Sequence, residues 1–590
     1  MNACAERAGE PALVAGRATA LVVWSVWLAM VVGALLIVAR DGSNVPSWDD
    51  WDMVPTLTGE QPVTLEWLWS QHNEHRVPLP RLFTLALARL TVVDFRVLMV
   101  FDVLALASMA AAMLVVAGRL RGRASLTDAF FPLVLLHWGH ATNLLWGWQI
   151  EYFASVVLSC IALIAIVLRR ASTRPTGGFA AGICILLLPL CGATGLVLVP
   201  ALAAWLAYSA WLHARTSGAS RRDACLLMGL AAAALLLVEL YFIGWERVPW
   251  HPTGHSVHGM LENALRFATI GLGPATRALW PYSGFVTFLV SGLTGALLAR
   301  VCWREPRERG RAAGLLLFLG AMAALALAIG TRRNGFEPRY VLLAVPAWCC
   351  MYFAWSVYGS PRHERAARAL FLALAGVVVW PNTRLGESYG QELRSHLAAF
   401  ERDMAAGVPM HELIHRYGDH LHPHHDIPTE YLPMLRRAGI GAYRLLHEDP
   451  PFREVAVALD PIGSGDVEWS DSTATLIGPK PWIEFGLPAD VHAAGIRLRY
   501  EYHDEEGTLP FVGISWKRSD QVGFPRERSR KYSPTGDRAN WERGTWSRRH
   551  DPATTMTVWV ADPVGQLLIT ANATPGAFVI TELVLLVPKE

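Results

Sequence analysis

Residues 21–39 read LVVWSVWLAMVVGALLIVA, and residues 40–52 follow as RDGSNVPSWDDWD. The first segment is uncharged over nearly the ~20 residues that a helix needs to cross the apolar part of a bilayer. The second ends it abruptly in a polar run with three carboxylates, Asp49, Asp50 and Asp52. Taken from residue 13, the apolar run is too long for a cleaved signal peptide and lacks a small-residue cleavage site, so it is expected to remain as a membrane span. A span that delivers the chain straight into an acidic loop sets the frame for everything downstream.

The rest of the chain repeats the first half of that pattern. Over 590 residues, hydrophobic types make up 53% and Trp alone accounts for 24, with a mean hydropathy of +0.28, too apolar for a soluble multidomain protein. Spans are expected at 15–39, 95–118, 126–145, 149–168, 177–191, 193–212, 223–244, 282–300, 312–330, 339–358 and 366–380, about eleven in all. Net charge is only +2, which gives no basic surface for nucleic acid. All eight Cys precede residue 351, so the distal part has no disulfide framework.

Charge placement orients the spans. Arg clusters fall in every second loop, at 119–123, 169–174, 215–222, 300–311 and 362–368, and basic loops stay on the cytoplasmic side. The alternation requires that 78–93, interrupted by Arg81 and Arg89, lie along the interface without crossing. It then puts the N-terminus inside, and loop 41–77 and everything after residue 380 outside. Three domains are expected: a transmembrane helical domain over 1–380, a polar, His-rich helical linker over 381–450, and a β domain over 451–590. Short β-branched and aromatic segments between Gly, Pro and Asp turns suggest a β-sandwich or jelly roll for the last. No internal repeat is evident.

Four groups of residues have chemical potential. Asp49, Asp50 and Asp52 are able to hold a divalent metal such as Mg or Mn, or act as base toward a hydroxyl; the plainer reading is a solvated acidic turn. Gln71-His72-Asn73-Glu74-His75-Arg76 crowds six polar residues against an apolar segment, either as interfacial salt bridges or with Glu74 or His75 handling protons and Arg76 holding an anion. Thr331 to Tyr340 puts Arg332, Arg333, Arg339 and Tyr340 in a short exported turn. Guanidiniums on the wrong side of the membrane suit a lipid phosphate, unless they pair with Glu337 or the front carboxylates. Arg277 and Glu151 are weaker candidates for the same cavity. Finally, His411-Glu412-Leu413-Ile414-His415 matches the H-E-x-x-H zinc pattern, inside a segment that is His-rich throughout to His425. In the β domain, Trp469, Trp482, Trp516, Trp541, Trp546 and Trp559 are either core or faces for sugar stacking.

An acidic pair in the first exported loop, Asp49-Asp50, together with the turn Arg339-Tyr340, many spans and an exported C-terminal domain, resembles the GT-C class of polyprenyl-phosphate-sugar-dependent glycosyltransferases. The segment Gln71–Arg76 is similar to one in a set of bacterial multi-spanning proteins. The resemblance implies a glycosyltransferase of the bacterial cytoplasmic (inner) membrane. Its partners would be membrane lipid, a polyprenyl-phosphate-linked sugar as donor and a glycan or lipid as acceptor. Asp49 or Asp50 would be the base, alone or through a metal, and Arg332, Arg333 or Arg339 would stabilise the departing phosphate. The acidic cluster has a third member, Asp52, so which carboxylate matches is open. Two other readings compete: a transporter or flippase for a lipid-linked or anionic solute, for which Asp102 and Glu239 inside spans would speak, and a membrane-anchored glycan-binding protein.

Overall fold

A chain in hydrocarbon must satisfy every backbone N–H and C=O internally, so its spans become helices. The computed structural model describes residues 3–169, 176–215, 220–246, 254–503, 512–532, 553–571 and 576–589. Among these, nine helices are long and apolar enough to cross a bilayer, from Arg17–Asp41 to Pro361–Ala405. The chain is thus a multi-pass helical membrane protein, followed by an antiparallel sheet domain. The bundle packs around Ile37, Val103, Leu106, Phe131, Leu163, Leu202, Leu315 and Trp348, all buried.

Two of the eleven expected spans are not single long helices. Residues 126–149 form a series of short pieces, among them Phe130–Leu135, Trp138–His140 and Ala141–Leu144. The chain bends there where it approaches its neighbours closely. A Cβ on Gly139 would stand 2.8 Å from Pro274, and one on Gly147 would stand 3.1 Å from Leu98 and 3.2 Å from Asp50 Oδ1. The other, Thr176–Leu187, is short and tightens into the 3-10 turn Leu188–Cys191 before Gly192 at φ 94°. Pro78–Leu90 is a 13-residue helix, too short to span, with Arg81 on its buried side.

The boundary expected at residue 380 falls inside one helix. Pro361–Ala405 runs 45 residues, about 68 Å at 1.5 Å per residue, so its last turns project well beyond the spanning part. They meet the helices Met410–Leu421 and Asp426–Arg437. Phe400, Leu413, Ile414, Leu432 and Leu435 then pack with Trp51 and Val54 of the first loop and with Trp559 and Leu586 of the sheet in one apolar cluster. Hydrogen bonds reinforce the seam: Trp51 Nε1 donates to Leu421 O at 3.2 Å, Tyr443 Oη to Asn44 O at 3.1 Å, and Trp559 Nε1 to Thr429 Oγ1 at 3.0 Å.

A two-residue hairpin, β1 (Gln71–His72) and β2 (His75–Arg76), closes the first loop. The distal domain is a nine-stranded sheet of β3 (Phe452–Ala456), β4 (Pro461–Gly465), β5 (Val467–Ser470), β6 (Thr473–Leu476), β7 (Trp482–His503), β8 (Val512–Lys517), β9 (Ser529–Tyr532), β10 (Ala553–Ala571) and β11 (Gly576–Pro588). All pairings are antiparallel. The long strand β7 lies between β4 and β10 along its first half and between β11 and β10 along its second. Bulges in β10 at Trp559/Asp562 and Val564/Gln566 bend the ribbon around a core of Phe485, Ile496, Leu498, Trp516, Val558 and Leu567.

Candidate functional site

Ser47 opens a 3-10 turn over Trp48–Met53, and the Asp50 carboxylate closes a capping box by accepting from Ser47 N at 3.2 Å. With three residues per turn, side chains three apart stand on one side. Asp49 and Asp52 therefore face together, and Asp50 faces away. Asp50 is 2% exposed and also accepts from the Trp148 backbone; burial pushes its carboxyl up to about 8.

The hairpin supplies the partner of the other two carboxylates. His72 pairs with His75 across β1 and β2 and reaches Asp52 Oδ2 with Nδ1 at 2.9 Å and Asp49 Oδ1 with Nε2 at 3.8 Å. Its side chain is 2% exposed and its ring lies 4.8 Å from that of Trp148. Burial alone would lower the imidazole, but the two carboxylates outweigh it and raise His72 to about 10. Burial likewise works against the charge on Asp49, yet His72 overrides it, helped by Arg339, and holds that carboxyl below its ordinary value. The trio is thus an imidazolium between two carboxylates, with Asp49 the more open at 27%.

The hairpin itself is pinned from outside. Gln71 exchanges hydrogen bonds with the Glu246 backbone at 2.9 and 2.8 Å, and Trp245 Nε1 donates to Glu74 O at 2.9 Å. Arg76 spends its guanidinium on carbonyls: Tyr241 O at 2.9 Å, Trp69 O at 2.6 Å and Ile243 O at 2.9 Å. Two of these belong to the C-terminal end of the Arg221–Phe242 helix, where orphan carbonyls collect. Arg81 does the same for Trp67 and Ser70.

Facing the carboxylates is the turn 331–340. Asp49, Asp52, His72, Glu74 and His75 on one side and Arg332, Arg333, Arg339 and Tyr340 on the other line a single cavity of ≈ 630 Å³, in the range of small-molecule pockets. Arg333 is 3.5 Å from Glu74. Arg339 lies over the Tyr340 ring at 5.7 Å, and its Nε is buried without a hydrogen-bond partner among the described residues. Arg332, half-buried, makes no ion pair among the described residues. Below these charges the lining turns apolar, with Leu196, Val197, Leu325, Ile329 and Leu343 from three helices. One compartment therefore has a split charged rim and a greasy floor.

Of the residues singled out in the sequence, Asp50, Arg76 and Arg277 stay out of this cavity: the first is a cap, the second a helix clamp, and the third is exposed. Glu151 lines it, buried, with Oε2 unpartnered among the described residues. The structure adds His72, Trp48, Tyr152, Tyr241, His422 and His424. The last two come from the linker, some 350 residues downstream of His72. Burial holds His422 down at about 4, so it meets the site as a neutral ring.

The H-E-x-x-H histidines point elsewhere. His411 Nδ1 is 2.9 Å from Asp449 Oδ1 and His415 Nδ1 is 3.1 Å from Trp559 O. They fasten the helix to neighbouring segments, and the cluster of potential metal donors found among the described residues is Asp49, Asp52 and His72, whose ligand atoms lie within 4.8 Å of one another. In the sheet, Trp516 is 1% exposed and donates to Asp562, and Trp559 sits in the linker seam. Trp469 and Trp482 are half-buried, and Trp541 and Trp546 lie outside the described residues.

Fold and cavity together define a multi-pass membrane protein with an amphiphilic pocket at the end of its bundle. No family model matches the chain, and no curated protein does. Among solved structures, the arabinosyltransferase EmbB from Mycobacterium smegmatis is similar over 96% of this chain and 64% of its own length, at 12% identity and a TM-score of 0.28. The chain thus spans less than two thirds of that protein.

Proposed function

We propose that this chain is a membrane glycosyltransferase that moves a sugar from a polyprenyl-phosphate carrier to a hydroxyl of a glycan or lipid acceptor, at the exported face of a bacterial cytoplasmic membrane. One observation carries the reading: carboxylates from the front of the chain and guanidiniums from the 331–340 turn line the same cavity above an apolar floor. A carrier with an isoprenoid tail and an anionic head matches that polarity. The Arg-rich loops at 119–123, 300–311 and 362–368 support the exported orientation, since they lie at the other ends of the helices.

In the step itself, the acceptor oxygen forms a bond to the anomeric carbon as its proton passes to Asp49. The bond from that carbon to the phosphate oxygen breaks, and the phosphate leaves with the electron pair. Charge accumulates on the phosphate, where Arg339 and Arg332 are already in place, and a site that needs no reorganisation lowers the barrier most. Asp49 is the base because it is ionised, open to the cavity and within the field of Arg339. His72 fixes its orientation and that of Asp52. A divalent cation, Mn or Mg, would find donors in Asp49 and Asp52 and, once it displaced the imidazolium proton, in His72, with the imidazole favouring Mn, and would supply positive charge beside the acceptor hydroxyl. The pair Asp49 and Asp50 is not such a site, since Asp50 faces the Trp148 backbone.

The test uses purified protein with a panel of polyprenyl-phosphate sugars, following release of free carrier. Asp49→Asn is expected to lose at least about a hundredfold, whereas Asp50→Asn, which keeps an acceptor oxygen for Ser47 N, stays within about threefold. Equal rates in all three proteins would end the proposal.

A further inference from the structure

Trp48 has φ +52°, a left-handed conformation that a bulky residue adopts only when its surroundings enforce it. The residue is 47% exposed, and it lines the cavity. Its ring leans on the buried Trp146, with centroids 6.1 Å apart, which leaves part of it open. A 3-10 turn that needed only a left-handed start would be served by Gly or Asn at lower cost. Asn73, also at φ +50°, lines the same cavity from the hairpin. Two non-glycine residues in this rare conformation, from separate segments, thus converge on one rim.

We infer that Trp48 is the platform of an acceptor subsite that binds a neutral sugar ring by its apolar face. This rests on the transferase reading and gives its acceptor a chemical class. A sugar ring presents C–H groups on one face and hydroxyls around its edge. The indole meets the first by stacking, and Asp49, Asp52 and Asn73, which line the same cavity, meet the second as hydrogen-bond partners. The same carboxylates repel a phosphate, so the anionic carrier belongs on the guanidinium side and the uncharged acceptor on the Trp48 side. An acceptor ring stacked there places its hydroxyl next to Asp49, the adjacent residue in the chain.

The experiment measures binding by saturation-transfer NMR on the full chain in nanodiscs, with cellobiose, maltose and mannobiose as probes. Decaprenyl phosphate binding is measured in parallel. Wild type and Trp48→Phe are expected to bind at least one disaccharide with similar affinity, and Trp48→Gly to bind it about tenfold or more weaker. The Gly variant relieves the left-handed backbone, so its thermal midpoint should not fall, and its affinity for decaprenyl phosphate should match wild type. Disaccharide affinity unchanged in Trp48→Gly overturns the subsite and leaves Trp48 as an interfacial anchor. So does wild type that binds decaprenyl phosphate but none of the sugars. If wild type binds neither class of probe, the transferase reading fails and the subsite falls with it.

Discussion

Arg76 and Arg339 stand at the same end of the bundle, each beside a run of polar residues that looked equally able to hold an anion, yet their guanidiniums do opposite things. Arg76 is 5% exposed and donates to three carbonyls at the end of the Arg221–Phe242 helix and in the first loop. Arg339 lies over an aromatic ring, keeps a buried Nε without a hydrogen-bond partner among the described residues, and faces a cavity. What separates a clamp from a binding group is where the five donors of each fork are already committed. A buried fork whose three nitrogens each already hold a carbonyl stabilises the fold and offers little to a ligand; one with an uncommitted donor holds its charge ready at a cost to stability.

The sharpest way to break this comparison is to neutralise each arginine in turn. Arg339→Gln should lower the rate of carrier release by about 10²–10³-fold, the usual loss when one preplaced donor to a developing oxyanion is removed, with no fall in thermal midpoint. Arg76→Gln should do the reverse. It leaves buried carbonyls unpaired and costs about 2–4 kcal/mol, seen as a large drop in thermal midpoint, while the rate per folded molecule changes little. Loss of activity without loss of stability in Arg76→Gln would erase the distinction.

Arg332 gives a finer version of the contrast. It is half-buried with no ion pair among the described residues, whereas Arg333 already faces Glu74 at 3.5 Å. Arg332→Gln should therefore weaken decaprenyl phosphate binding about tenfold. Arg333→Gln should weaken it less, because part of its charge is answered within the protein. Titration of the lipid into nanodisc-held protein reads both.

The same division explains how much was legible in the sequence. Most spans and the strand-rich tail follow from hydrophobic period and turn residues; the exceptions are the broken stretch at 126–149, the short helix Thr176–Leu187, and the boundary expected at residue 380, which lies inside the Pro361–Ala405 helix. At 126–149 the chain packs closely on other segments: a Cβ on Gly139 would stand 2.8 Å from Pro274, and one on Gly147 would stand 3.2 Å from Asp50, contacts that depend on the folded neighbours as well as on the segment. The Asp49-Asp50 pair was read as two equivalent carboxylates because their neighbours are alike in composition. The signal that separates them was present as Ser47-x-x-Asp50, a capping box that consumes Asp50, and as the three-residue period that pairs Asp49 with Asp52. No such signal marks His422 or His424. Their place in the cavity depends on the Pro361–Ala405 helix carrying the linker back over the first loop, a long-range packing event. The H-E-x-x-H match, already weak in a segment rich in histidine, shows the converse: one helical turn aligns two histidines, but partners outside the helix decide what they meet.

The smallest expected effect concerns the charge state of His72, the group that joins Asp49 to Asp52. Its folded pKa, about 10, lies above the ordinary value of 6.5, so the stabilisation it contributes is complete below pH ~6.5 and is lost as pH rises through ~10. With chelator present to keep metal off the cluster, the thermal midpoint of wild type should fall between pH 6.5 and 10.5 by about 2–4 °C more than that of His72→Gln. Other groups that titrate in this window cancel in the difference. Asp49 contributes with the opposite sign, since its folded pKa is depressed. Its share persists through this range and disappears only as pH falls through that lowered value. Parallel curves for the two proteins across the alkaline window would mean that the imidazole is not held as a cation between the carboxylates. His72 would then be a neutral spacer, and Asp49 would owe its ionisation to Arg339.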